Sequence, residues 1–76
     1  MLLHKVKSSS ISEIGYSQLK QTLGIVLNSC LDYIYLYINV TEETYLQLLN
    51  SKSKGNFFVK EIKPKYEFKK VQRKID

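Results

Sequence analysis

Few residues in this 76-residue chain have the type and spacing that chemistry requires. The single cysteine, Cys30, stands beside Asp32 with no cation next to it in sequence to activate it, so it reads as an ordinary thiol. His4, the one histidine, lies in a short N-terminal arm, where a general base would lack fixed geometry. Glu42 and Glu43 are adjacent, so on a helix they diverge and cannot act as an acid–base pair. Ser53-Lys54-Gly55 resembles a fragment of a phosphate loop but lacks the full spacing, and a helix C-cap at Gly55 is the better reading. These residues supply no nucleophile–base pair and no metal-ligand set, so the expectation is no catalytic residue, no metal, no cofactor and no enzyme activity.

The basic residues carry more information. Residues 1–51 hold three basic and four acidic side chains, a net charge of −1, whereas residues 52–76 hold nine basic and three acidic, a net charge of +6. The basic segment interleaves lysines with Phe57, Phe58, Tyr66 and Phe68. Cations for phosphates beside rings for stacking form a nucleic-acid pattern. The candidate binding residues are Lys54, Lys60, Lys63, Lys65, Tyr66, Lys69, Lys70 and Arg73. A solubilising surface whose lysine stems cover apolar rings explains the same pattern. Lysine outnumbers arginine, which favours phosphate contact over base reading, so binding should be salt-sensitive and weakly sequence-specific.

The stretch from Asp32 to Leu49 must position these groups. Tyr33 to Val40 alternates with period two and predicts a strand. Thr41 offers an N-cap, Glu42 and Glu43 suit the positive end of a helix dipole, and Tyr45, Leu48 and Leu49 form one helical stripe. The helix should end at Asn50 or Ser51. Upstream, Ile11–Tyr16 and Thr22–Leu27 predict two more strands, with Gly15 marking a bulge or a close backbone approach. The short connections make the three strands antiparallel. Phe57–Ile62 predicts a short second helix that Pro64 ends, and Tyr66 with Phe68 suggests an edge strand. Residues 1–10 read as a lead-in, and Gln72 to Asp76 as frayed. The expected fold is therefore α+β: a three-stranded antiparallel meander packed by one main helix, with a short second helix and a C-terminal edge strand.

Length bounds the chain to one domain, 1–76, with a core over about residues 5–71. A chain this short buries only about 60% of its unfolded surface, and oligomerisation is one remedy. Only Met1 to Leu3 form an apolar run at the start, too short for a signal segment, and nothing approaches a membrane span. With one cysteine this suggests a cytoplasmic protein that does not engage a membrane.

The order of motifs resembles the KTSC domain, a small module found at the C-terminus of some lysyl-tRNA synthetases and as single-domain bacterial and phage proteins. The resemblance spans about Lys5 to Val71 and rests on Ser8-Ser9 with Ile11, Ile14-Gly15-Tyr16, and Tyr35-Leu36-Tyr37 followed by Val40. It continues through Tyr45 with Leu48-Leu49, Ser53-Lys54-Gly55 with Phe57-Phe58, and Ile62 with Lys65-Tyr66. Thr41 stands where the family often has proline, Val59 where it often has asparagine and Lys63 where it often has arginine. The synthetase context implies RNA as a partner by association. The family commonly has a polar residue between the two tyrosines, which implies that Tyr35 and Tyr37 face inward.

On that assignment Tyr33, Tyr35 and Tyr37 fill the core beneath the helix rather than offer a stacking platform. The opposite face presents Ile34, Leu36 and Ile38, with Val26 beside them, as an interface row for self-association, unless the N-terminal arm or C-terminal strand covers it. The leading expectation is a non-catalytic module binding RNA or another polyanion through the basic C-terminal third. The alternatives are a protein-interaction or inhibitor module, phage-encoded and directed at a host protein, and an oligomer that sequesters a nucleotide.

Overall fold

A computed structural model describes residues 1–73. Five strands form one antiparallel sheet in the order β1-β2-β3-β4-β5: β1 Leu3–Lys5, β2 Ile11–Ser17, β3 Thr22–Leu27, β4 Cys30–Tyr37 and β5 Phe68–Gln72. Helix α1, Glu42–Asn50, and helix α2, Lys54–Phe57, lie between β4 and β5, and α2 continues as a π-helical turn over Phe58–Ile62. The fold is α+β, as the sequence predicts, but its sheet has five strands rather than three and an edge. The lead-in contains β1, too short for any periodicity to reveal.

The connections follow local chemistry. Asn28 and Ser29 alone join β3 to β4, so Cys30 belongs to the strand rather than to the turn. Gln21 and Asn39 take left-handed backbone conformations (φ 49° and 60°) where the chain leaves one element for the next. The Thr41 hydroxyl accepts from the Thr44 N–H (3.3 Å) and caps α1. The Ser53 hydroxyl does the same for Asn56 (3.3 Å) and starts α2, so Gly55 stands in the first turn of a helix and caps no C-terminus. It is buried, and a Cβ built there would lie 2.9 Å from the Ser10 hydroxyl oxygen.

The main core lies between the helices and one face of the sheet. Ile11 and Ile14 of β2, Leu23 and Ile25 of β3, and Tyr37 of β4 meet Val40, Leu48, Phe58 and Ile62. Tyr35 packs against this cluster at its margin, so the predicted inward face of β4 is correct. Tyr16 reaches across from β2: its ring stacks on Tyr45 (4.7 Å, 10° between planes) and its hydroxyl donates to the Val40 carbonyl (2.5 Å). This clamps the joint between β4 and α1. Burial, then the Glu42 carboxylate, pushes the Tyr16 hydroxyl above its usual range.

The other face is not bare. Gly15 and Gly24 pair across β2 and β3, and Met1 and Leu3 lie over them. At the far end Arg73 donates to Glu13 (2.8 Å), its backbone N–H donating to the Asp32 carbonyl (2.7 Å). Gln72 pairs with Tyr33. The expected fraying therefore does not hold for Gln72 and Arg73, while positions 74–76 lie outside the described residues.

Candidate nucleic-acid interface

Strand β5 divides its lysines between the two faces of the sheet. Lys70 is paired with Tyr35 and so shares the helix-bearing face, whereas Lys69 is paired with Leu36 and shares the opposite one. The Lys70 ammonium stands 4.4 Å from the centre of the Tyr33 ring and 5.6 Å from that of Tyr35. Phe68 tilts against Tyr35 (5.5 Å) and Tyr37 (5.2 Å). Tyr37 is buried, Tyr33 and Tyr35 are half-buried, and Phe68 is 49% exposed. The rings thus run from the core to a solvent-facing margin that carries a cation. Tyr37 is pushed above its usual range, first by burial and then by Tyr35.

Among the other predicted binding residues, Lys54 lies in α2, Lys60 in the π-helical turn, and Lys63 just after it. Lys63 and Val59 line a cavity of about 300 Å³ with Ser9, Ser10, Asn28 and Ser29. Two of the three positions at which this chain departs from the resembled family, Val59 and Lys63, therefore share one cavity. Its walls are tied together: the Asn28 side chain donates to the Ser8 carbonyl (3.0 Å), the Asn28 N–H to the Ser10 carbonyl (2.9 Å), and the Ile11 N–H to the Ser8 hydroxyl (3.1 Å).

Four predicted residues go elsewhere. Lys65, in the turn after the π-helical segment, donates to Glu61 (2.7 Å) in an exposed pair, and that bond raises its pKa. Tyr66 packs against the core. Lys69 faces the opposite side of the sheet. Arg73 is neutralised by Glu13, in a pair whose side chains are 26% and 16% exposed. The basic third is therefore not one patch, because strand alternation and local carboxylates divide it. Sequence reasoning assigned Tyr33 to the core; its place at the margin depends on where α1 and α2 stop covering the sheet, for which the sequence carries no signal.

The predicted interface row is also altered. Val26 is fully buried and presents nothing to a partner. Ile34, Leu36 and Ile38 are half-buried. A Cβ built on Gly24 would touch Ile34 (3.6 Å) as well as Met1 and Leu3, which places the N-terminal arm along this row. Among the described residues, no helix is long and apolar enough to cross a membrane.

A five-stranded antiparallel meander with both helices on one face, between β4 and β5, defines a small α+β module. A family model described as "KTSC domain" matches residues 7–66, and the chain belongs to that family. The fold is similar to the crystal structure of a KTSC domain protein from Yersinia pestis, with a TM-score of 0.84 and 31% identity, over 92% of this chain and 96% of that one. No curated protein matches the chain.

Proposed function

We propose that this chain is a non-catalytic binding module for RNA or another polyanion, using the helix-bearing margin of the sheet. Lys70 and Lys63 contact phosphates, and Tyr33, Tyr35 and Phe68 offer ring faces to bases. The observation that carries this reading is the Lys70 ammonium 4.4 Å above the Tyr33 ring, a cation and a stacking surface joined at a solvent-facing edge. Lys60 is exposed and Lys54 half-buried on the adjoining helical layer, and both extend the positive field.

A role through contact with a partner protein, as an inhibitor or an oligomer, has less support. It relied on a bare Val26, Ile34, Leu36 and Ile38 row, and Val26 is closed off. Fluorescence anisotropy with a labelled single-stranded RNA, at low and moderate salt, tests the proposal. Binding that weakens steeply with salt and varies little with sequence supports it; no affinity at low salt ends it.

A further inference from the structure

The face opposite the helices carries a cavity of about 360 Å³ that the proposed polyanion surface does not use. Leu36 and Ile38 form an apolar floor, and Met1 adds a wall. Lys20, from the β2–β3 turn, and Lys69, from β5, contribute to its lining, as do Ser17 and Thr22 at the strand ends. Two of these residues bear side-chain ammonium groups and none bears a side-chain carboxylate.

The hydroxyls are already oriented. The Lys20 N–H donates to the Ser17 hydroxyl oxygen (3.3 Å), which leaves the Ser17 proton free to donate. The Thr22 hydroxyl donates to the Lys20 carbonyl (3.2 Å). The cavity is at the small end of the range for small-molecule sites, roughly 300–1,000 Å³, and most of such a site is apolar wall with a few polar groups that fix orientation. We infer that it binds a small anionic amphiphile, a monocarboxylate with a short alkyl tail. The carboxylate lies between Lys20 and Lys69 and accepts from Ser17, and the tail lies on Leu36, Ile38 and Met1. A nucleic acid suits it poorly, because Lys69 points away from the tyrosine margin and the floor offers no ring to stack on.

The test is an amide-resolved NMR titration of the full chain with acetate, butyrate, hexanoate and octanoate below the micelle concentration. Saturable shifts should centre on Lys20, Thr22, Leu36, Ile38 and Lys69, and affinity should rise about fourfold per buried methylene along the series. Octanol and octylamine should bind at least tenfold more weakly than octanoate. The double variant Lys20→Glu/Lys69→Glu, its fold checked by its own amide spectrum, should weaken octanoate at least tenfold, while Lys60→Glu should not. Shifts centred on Tyr33 and Lys70, equal binding of octanol, or indifference to the double charge reversal would each overturn the inference. RNA binding at Lys70 does not depend on any of these results.

Discussion

Gly15 and Gly24 stand directly opposite each other on β2 and β3, and the slot between them is filled by the N-terminal arm. Their close contacts differ in kind. A Cβ on Gly15 would lie 2.7 Å from the Leu2 backbone carbonyl oxygen, whereas one on Gly24 would lie 2.5 Å from the Met1 sulfur, the movable part of a flexible side chain. Alanine gains roughly 0.5–1 kcal/mol over glycine in a strand, and overpacking costs about 1–3 kcal/mol. Gly15→Ala should therefore destabilise clearly in urea unfolding, and Gly24→Ala should be close to neutral. Equal losses would mean that the arm does not seat on Gly15 through its backbone.

Tyr16 joins β2 to the start of α1. Tyr16→Phe keeps the stack on Tyr45 but removes the hydrogen bond to the Val40 carbonyl, at a cost of about 1 kcal/mol. The alkaline limb of stability gives a second readout. The folded-state pKa of Tyr16 is raised, so the unfolded chain ionises first and wild-type stability falls as pH rises from about 10 towards the raised value. The phenylalanine variant lacks that loss, so the gap between the two proteins should narrow above pH 10, as thermal melts across the pH series would show. A constant gap would count against a half-buried, hydrogen-bonded hydroxyl.

Arg73 crosses β4 and β3 to reach Glu13 on β2, tying the C-terminal edge to the strand next to the opposite edge. The pair is mostly shielded from solvent, so its coupling should exceed that of a surface ion pair. A double-mutant cycle with Arg73→Met and Glu13→Gln should give about 1–2 kcal/mol, and the single arginine variant should speed amide exchange at the end of β5. Coupling below about 0.3 kcal/mol would show that the two sites act independently.

The legible parts of the fold were those with a local cause. Alternation along Tyr33 to Tyr37 marks a strand, and Thr41 followed by two glutamates marks the helix start. Gly15 within a strand pattern predicts a bulge or a close approach, and it is the approach that occurs, to Leu2. Nothing in Leu3-His4-Lys5 marks β1, because three residues carry no period and the strand exists only by pairing with β2. The candidate site was legible as composition but not as arrangement. Charge counting sees nine cations in residues 52–76; it does not see that Lys69 and Lys70 separate by strand alternation, or that Glu13, sixty residues away, takes Arg73.

The division between Lys69 and Lys70 makes the central claim directly measurable. RNA affinity by anisotropy at low salt, compared for wild type, Lys70→Glu and Lys69→Glu, isolates the face from the charge. The account predicts that Lys70→Glu weakens binding at least tenfold, about 1.4 kcal/mol, and flattens the salt dependence, while Lys69→Glu changes affinity much less. Equal losses from the two variants would contradict it, since they would mean that net charge and not the tyrosine-lined margin holds the ligand.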